Sequence, residues 1–379
     1  MREFDIIIFG AGIAGASLAW RLAGERSVAV VERESQPGYH ATGRSAAMFM
    51  ESYGPPQVRA LTRASRAFYS QPPAGFTDVA LMHPRGVLYV ANRGQEAELA
   101  ALHAELAPAC AGLKVLDAQA TMALVPCLRS DVVHGGLVDP GAQDLDVHAL
   151  HQGFLRGFRQ KAGVQGGSLL TGATLTETAH DGRRWTLTFA NGETLRAETV
   201  VNAAGAWADE LATMFGARPI GITPRRRSAF TFKAPEGVDV SAWPAVVGVD
   251  ESYYFKPDAG QLLGSPANAD DTVPHDVVPE ELDIAVGIHQ IESVSTLSIR
   301  RPASTWAGLR SFVPDGEMVI GADTACPGFF WLAGQGGYGI QSAAGASALA
   351  DALLRGAPCP EFLLREGVNA AALSPARLR

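Results

Sequence analysis

The first 32 residues constrain the fold more than any other stretch of the chain. A short apolar run, Ile6 to Phe9, leads into Gly10, Gly12 and Gly15 and then into a helical pattern. In a G-x-G-x-x-G turn the first glycine permits the tight bend, the second lets the backbone approach a pyrophosphate, and the third lets helix and strand pack closely. A second apolar run ends in Glu32, whose carboxylate can bind ribose hydroxyls. The segment predicts a Rossmann-type dinucleotide site; the alternative is a tight strand-to-helix turn without a ligand.

Composition narrows the possible partners and the compartment. The chain has 379 residues, 47% of them hydrophobic, and a formal net charge of −8. That length allows a large core and favours two domains, while the acidic balance gives no electrostatic footprint for nucleic acid. The apolar run near the start is too short to span a membrane, and we see no targeting segment. We therefore expect a cytoplasmic protein without an integral membrane segment, a monomer or a weak homo-oligomer.

Neither cysteine nor histidine spacing indicates a metal or disulfide framework. The cysteines are scattered, which is typical of reduced thiols: Cys110, Cys127, Cys326 and Cys359. His148 and His151 stand three apart on a probable helix, but without a third ligand nearby we interpret them as polar residues of an amphipathic helix. No metal site is expected.

The stretch PGYHATGRSAAMFMESYGPP, residues 37 to 56, follows the second strand and is rich in small residues. Segments at this point lie beyond the carboxyl ends of the sheet, where the far half of a dinucleotide extends. Backbone amides there could reach a cofactor ring, and Arg44 or Ser45 could serve its phosphates. The alternative is a surface loop, and NAD and FAD both fit the fold at this stage.

Five motifs in order along the chain resolve this choice. They are Glu32-Arg33-Glu34, GYHATGRSAA from residue 38, VVNAAGAWADEL from 200, WAGLRSF from 306 and AGQGGYGIQ from 333. With them the chain resembles the family of D-amino-acid, glycine and sarcosine oxidases, and within it the D-arginine dehydrogenases. The resemblance implies an α/β fold with a Rossmann-like, glutathione-reductase-like FAD domain and an α+β substrate domain built on a mostly antiparallel sheet. The predicted FAD domain is 1–54, 141–219 and 313–379, and the substrate domain is 55–140 and 220–312.

The resemblance also assigns residues to non-covalently bound FAD. Its adenine end is expected at the glycine turn and its ring near TGRSAA and GQGGYG, where His40 is the one candidate for a covalent link. The cofactor-binding set is Gly10, Gly12, Ile13, Ala14, Gly15, Glu32, Arg33, Thr42, Gly43, Arg44, Ser45, Ala46, Ala47, Ala204, Gly205, Trp207, Arg310, Gly334, Gly336, Gly337, Tyr338, Gly339, Ile340 and Gln341.

Arg310 is the strongest candidate for substrate binding. It lies among apolar residues, where a guanidinium is costly unless it meets an anion, so it is expected to hold a carboxylate. The resemblance adds Arg227 as a second contact, Tyr254 and Tyr53 as hydroxyls at the carboxylate or pocket mouth, and Gly337 as a carbonyl acceptor for the amine. For either arginine, a structural salt bridge is the alternative.

The side-chain pocket implied by the resemblance comprises Met48, Met50, Val87, Val247 and Gln341. Arginine-selective relatives carry an acidic residue where this chain has Val87, and more polar residues at the two methionines. The departure favours apolar or a broad range of D-amino acids, oxidised by hydride transfer to the flavin and then hydrolysed to a 2-oxo acid and ammonia.

The electron acceptor is predicted from a second departure. Oxygen-using sarcosine oxidases place a lysine near the flavin in a strand like GQLLGS, where this chain has Leu262 and Leu263. We therefore expect a dehydrogenase with a quinone or electron carrier as acceptor. An oxidase that makes hydrogen peroxide and a non-catalytic dinucleotide-binding protein are the alternatives.

Overall fold

The computed structural model describes residues 1–108, 110 and 112–379, and its strands are as follows. They are β1 Arg2–Phe9, β2 Val28–Val31, β3 Met48–Phe49, β4 Met82–Pro84, β5 Val87–Asn92, β6 Lys114–Asp117, β7 Val133–Asp139, β8 Gln143–Leu145, β9 Ser168–Leu170, β10 Leu175–His180, β11 Trp185–Phe189, β12 Thr194–Asn202, β13 Thr223–Phe232, β14 Ala245–Gly248, β15 Tyr254–Asp258, β16 Gln261–Ser265, β17 Asp270–Asp271, β18 Ser304–Phe312, β19 Val319–Ala322 and β20 Phe329–Ala333.

The helices connect and cover these strands. They are α1 Ile13–Leu22, α2 Pro56–Ser70, α3 Glu96–Leu106, α4 Ala118–Leu124, α5 Val147–Gln165, α6 Ala208–Met214, α7 Glu281–Val294, α8 Gly339–Leu354, α9 Glu361–Arg365 and α10 Ala370–Leu373, with 3-10 turns at Gly205–Trp207 and Pro375–Leu378. Within the described ranges, none of these helices is both long and apolar enough to cross a membrane.

The first large sheet is built around a parallel centre. Its order is β10-β11-β12-β1-β2-β9, with β20 beside β12 and β19 beside β20. Strands β9, β2, β1, β12 and β20 run parallel, and β2 is buried along its whole length. A parallel sheet needs cover on both faces, which explains its continuous apolar runs. One face packs against α1, α2, α5 and α8, and the other against α6.

Helix α8 owes its position on this sheet to small residues. Most of its length is buried, and its alanines and glycines leave room for a neighbouring backbone. A Cβ on Gly345 would lie 2.6 Å from the carbonyl oxygen of Leu61 in α2. The close packing of α2 on α8 therefore requires a glycine at this position.

The second large sheet is mostly antiparallel. Its order is β17-β13-β16-β15-β14-β5-β7-β6, with β18 paired to β13, and β14 and β5 form its one described parallel pair. Helix α7 packs on it through Ile284 and Ile291. A small sheet, β3-β8-β4, lies between the two, and in it Met48 pairs with Asp144.

The α/β fold class predicted from the sequence is confirmed. Strands of the first sheet fall within 1–54, 141–219 and 313–379, and those of the second within 55–140 and 220–312. Helix α2 departs from that division, because its residues Val58 and Leu61 pack in the core of the first sheet with α8. The domain boundaries remain a prediction, and the structure places α2 with the FAD-domain sheet.

Candidate functional site

A cavity of about 480 Å³ is lined by residues from both large sheets. At one end stand Glu32, Arg33 and Trp207, near the carboxyl ends of β2 and β12. At the other stand Tyr254 of β15 and Arg310 of β18. Such a cavity at the carboxyl ends of parallel strands is where open α/β sheets bind dinucleotides.

The glycine turn after β1 has the backbone geometry that its spacing predicts. Gly10 has φ +98°, and a Cβ there would lie 2.4 Å from the carbonyl oxygen of Ala203. A Cβ on Gly15 would lie 1.9 Å from the carbonyl oxygen of Gly10, so this third glycine lets α1 pack on the turn. Gly12, Ile13 and Ala14 line the cavity, which places the amino end of α1 at its wall.

The carboxylate of Glu32 is held in place by backbone amides. Its Oε2 accepts a hydrogen bond of 2.9 Å from the amide of Ala11, and its Oε1 accepts one of 3.0 Å from Glu34. Beside it, the guanidinium of Arg33 stacks over the ring of Trp207 at 4.5 Å. This end of the cavity offers a fixed acceptor for ribose hydroxyls and a flat face beside it.

The segment 37–47 follows the cavity wall but does not present every predicted group to it. Thr42 Oγ1 accepts a hydrogen bond of 3.0 Å from the amide of Ile13, and Ser45 faces the cavity. Arg44 is turned away: it donates to the carbonyl oxygens of Val277 and Ala307 and forms an ion pair with Asp276. The expected role of Arg44 at a phosphate is therefore absent from the structure.

Most of the predicted cofactor residues line the cavity. These are Gly10, Gly12, Ile13, Ala14, Glu32, Arg33, Thr42, Ser45, Ala46, Ala47, Ala204, Gly205, Trp207, Arg310, Gly336, Gly337, Gly339, Ile340 and Gln341. The structure does not place five others on the wall: Gly15, Gly43, Arg44, Gly334 and Tyr338. Three of these shape the backbone behind the wall: Gly15 in the glycine turn, Gly43 by donating to the carbonyl oxygen of Gly38, and Gly334 with φ +70°. Tyr338 precedes α8 and packs edge-on against Tyr53.

Two guanidinium groups face the other end of the cavity. Arg310 Nη1 donates a hydrogen bond of 3.1 Å to Tyr53 Oη, and a Cβ on Gly337 would lie 2.9 Å from Arg310 Cζ. Arg227 Nε donates to the carbonyl oxygen of Asn268 at 2.6 Å. Neither arginine has a carboxylate partner in the described part of the chain. Burial and the neighbouring positive charge of Arg310 lower the pKa of Arg227. An anion between the two groups would relieve this repulsion.

The side-chain region of the cavity differs from the prediction at one residue. Met48, Met50, Val247 and Gln341 line it as expected, but Val87 is fully buried in a cluster behind the wall. Tyr89, two residues further along β5, reaches the cavity instead. Because alternate residues of a strand share a face, Tyr89 could have been considered together with Val87, yet no sequence signal chose the longer side chain.

Two ionisable wall residues were also missed by the sequence reasoning. Glu251, at the turn between β14 and β15, lines the cavity with φ +54°, and Lys256 lines it from β15. The Nζ of Lys256 donates to Asp144 Oδ1 at 2.7 Å. Leu262 and Leu263 are buried in the second sheet and do not line the cavity. The argument that lysine charge is missing there was therefore wrong in its location, because Lys256 occupies the wall.

The residues expected to be without metal or covalent chemistry have structural partners. His151 Nε2 lies 2.8 Å from the carbonyl oxygen of Ala11, and His40 Nε2 lies 3.0 Å from Glu34 Oε1. No cluster of three or more potential metal ligands occurs among residues 1–108, 110 and 112–379.

The site fits a flavin dinucleotide. The glycine turn would take the pyrophosphate, Glu32 the ribose, and the glycine-rich start of α8 leaves backbone space that a Cβ at Gly337 would fill. Together with the guanidinium-lined end, this arrangement is that of a flavin-dependent oxidoreductase for a substrate that carries an anion.

Comparison with known proteins leads to the family. The family model of FAD dependent oxidoreductases matches residues 5–352, and the chain belongs to that family. Hydrogen cyanide synthase subunit HcnC of Pseudomonas aeruginosa is 26% identical, over 93% of each chain. Glycine oxidase from Geobacillus kaustophilus has a TM-score of 0.84 at 21% identity, over 100% of this chain and 99% of its own. L-Proline dehydrogenase from P. horikoshii has a TM-score of 0.82 at 18% identity, over 99% and 98%. The cofactor is FAD, and the protein is an FAD-dependent amino-acid or amine oxidoreductase.

Proposed function

We propose that this protein is an FAD-dependent D-amino-acid dehydrogenase. The observation that carries the proposal is the pair of arginines without carboxylate partners, Arg310 and Arg227, at the end of the cavity opposite the glycine turn. An amino-acid carboxylate supplies the missing anion and can bind a guanidinium in a bidentate manner. The D configuration and the acceptor other than oxygen come from the family resemblance.

In this proposal the protein acts mainly by positioning. Arg310, oriented by Tyr53 and packed on Gly337, holds the substrate carboxylate, and Arg227 contacts it from β13. The fixed carboxylate sets the position of the α carbon relative to the cofactor, which lowers the barrier by orientation. Bound FAD supplies the acceptor for the hydride from the α carbon. The substrate nitrogen must be neutral because its lone pair stabilises the forming iminium, which loses a proton to give an imine. Water then converts the imine to the 2-oxo acid and ammonia.

The side-chain end of the cavity supports apolar substrates. Met48, Met50 and Val247 form its wall, and methionine adapts to differently shaped side chains. An apolar side chain gains roughly 25 cal/mol for each Å² it removes from water. We expect substrates such as D-Leu, D-Met and D-Phe to have a higher kcat/KM than D-Arg.

Anaerobic bleaching of the holoenzyme tests this function. Each D-amino acid and its L enantiomer is mixed with the yellow protein under nitrogen, and 2-oxo acid and ammonia are measured with an artificial acceptor. Bleaching by D-amino acids with stoichiometric product supports the proposal. Bleaching by L enantiomers alone overturns the D configuration, and no bleaching by any amino acid leaves a non-catalytic dinucleotide-binding protein. Peroxide formed at the rate of turnover in air would make the protein an oxidase.

A further inference from the structure

We propose that Tyr89 determines substrate specificity by acting as a hydrogen-bond acceptor in the side-chain region of the cavity. The proposal rests on the proposed function and narrows its substrate class. It selects substrates whose apolar side chain ends in a hydrogen-bond donor, such as a hydroxyl, over those that end in a methyl group or an acceptor.

Tyr89 belongs to the wall that surrounds the predicted substrate side chain. It pairs with Val247 across β5 and β14, and Val247 pairs with Tyr254 across β14 and β15. All three side chains line the cavity. Tyr89 is therefore part of one row of the second sheet that faces the bound substrate, although no sequence motif singled it out.

The hydroxyl of Tyr89 begins a short chain of buried hydrogen bonds. Its oxygen lies 3.3 Å from Ser52 Oγ, and Ser52 Oγ lies 3.0 Å from Asp139 Oδ2. The other oxygen of Asp139, Oδ1, accepts a hydrogen bond of 2.9 Å from the amide of Gly141. Tyr89, Ser52 and Asp139 are 4%, 6% and 4% exposed, so water has little access to compete.

The carboxylate at the end of this chain fixes its direction. A carboxylate only accepts hydrogen bonds, so the single proton of Ser52 is donated to Asp139. The oxygen of Ser52 then accepts the single proton of Tyr89. Tyr89 has no proton left for the cavity, and only its lone pairs can meet a substrate group. A substrate donor can be satisfied there, whereas a substrate acceptor meets a second acceptor.

Replacing Asp139 by asparagine is expected to reverse the direction. Gly141 donates to the Oδ1 position, so the side-chain oxygen of asparagine belongs there and its NH₂ takes the place of Oδ2. That NH₂ donates to Ser52, Ser52 donates to Tyr89, and Tyr89 then donates into the cavity. A purely structural role for Asp139 predicts weaker binding of all substrates and no change of preference.

Three neutral amino acids of nearly equal size test the proposal, each as the enantiomer that the wild-type holoenzyme oxidises. Norleucine ends in a methyl group, 5-hydroxynorvaline ends in a hydroxyl, and O-methylhomoserine carries only an acceptor. We expect kcat/KM of the wild type to be about three- to tenfold higher for 5-hydroxynorvaline than for norleucine, the effect of one neutral hydrogen bond, and lower for O-methylhomoserine. Tyr89→Phe should bring both ratios close to one. Asp139→Asn should raise O-methylhomoserine above norleucine.

Tyr253→Phe is the matched control, since Tyr253 is 3% exposed, its hydroxyl has no hydrogen-bond partner, and it does not line the cavity. It should leave the wild-type ratios unchanged. If Asp139→Asn does not fold, Tyr89→Phe still decides the question. An unchanged hydroxynorvaline preference in Tyr89→Phe, with norleucine turned over, overturns the inference alone. If no amino acid bleaches the flavin, the proposed function fails, and binding of 5-hydroxypentanoate against hexanoate, read from the flavin spectrum, tests Tyr89 separately.

Discussion

Arg310 donates a hydrogen bond of 3.1 Å from Nη1 to the phenol oxygen of Tyr53. Arg310 belongs to β18 of the second sheet, whereas Tyr53 follows β3 of the small sheet between the two larger ones. Gln341 at the start of α8 donates to the carbonyl oxygen of Tyr53, which ties the same segment to the first sheet. The orientation of this guanidinium therefore depends on residues from all three sheets.

Arg310→Met should leave FAD bound and remove most of the turnover. Truncating one partner of a desolvated charge pair costs about 2 to 5 kcal/mol, which corresponds to roughly two to four decades in kcat/KM. Steady-state kinetics and the flavin absorbance of the purified variant measure both effects. Arg225→Met is the control, because Arg225 pairs with Arg310 in register but its side chain forms an ion pair with Asp271 outside the cavity. Near-normal kinetics of Arg310→Met would end the assignment of this residue to the carboxylate.

The glycine turn and Arg310 could be predicted from sequence because their signals are local. A fixed spacing of glycines between a strand and a helix specifies a turn, and a guanidinium in an apolar run requires an anion. Arg44 could not be placed in this way, since its partner Asp276 lies 232 residues away in the chain. Lys256 likewise depends on Asp144, 112 residues distant.

The side-chain pocket shows a second limit of the sequence. Position 87 matched the family pattern, yet its short valine side chain ends behind the wall, in contact with Met50 and Tyr89. Which residue of a strand reaches a cavity depends on side-chain length and on what covers it, and neither follows from strand alternation. Val87→Glu would therefore place a carboxylate in a buried apolar cluster rather than directly on the wall.

FAD should be released completely by acid precipitation. In the described residues no cysteine lines the cavity, and the imidazole of His40 contacts Glu34 and packs against Trp207. The absorbance of the supernatant and of the redissolved pellet after trichloroacetic acid treatment measures the released fraction. Yellow colour that remains with the pellet of the wild type but disappears in His40→Ala would show a covalent link at His40.

Reduced enzyme should react slowly with oxygen. The lysine on the cavity wall, Lys256, is neutralised by Asp144, which in turn is bound by Arg85. An ammonium held in such a pair offers less stabilisation to a developing superoxide charge than a free one. Stopped-flow reoxidation in air-saturated buffer gives the rate, and we expect it to be well below kcat with an artificial acceptor. Reoxidation as fast as turnover would assign the protein to the oxidases, and Lys256→Met would show whether this amine is responsible.

Holoenzyme stability should fall as the pH drops below about 6.5, through His151. This side chain is 5% exposed, lies 2.8 Å from the carbonyl oxygen of Ala11 in the glycine turn, and contacts Gly38. Burial lowers its pKa, assisted by the nearby charges of His148 and Arg159, while the hydrogen bond to Ala11 acts in the opposite direction.

Because the folded state takes up the proton at lower pH than the unfolded state, the unfolded state binds more protons just below its own pKa of about 6.5. The contribution of His151 is therefore present in full above that pH and decreases below it, by at most about 1.4 kcal/mol for each pH unit. Urea unfolding between pH 5 and 8 measures the slope. His151→Gln keeps a donor for Ala11 without a titrating group and should flatten the profile, whereas His148→Gln, on an exposed turn of the same helix, should leave most of the slope. Equal slopes in wild type and His151→Gln would assign the acid sensitivity to other groups.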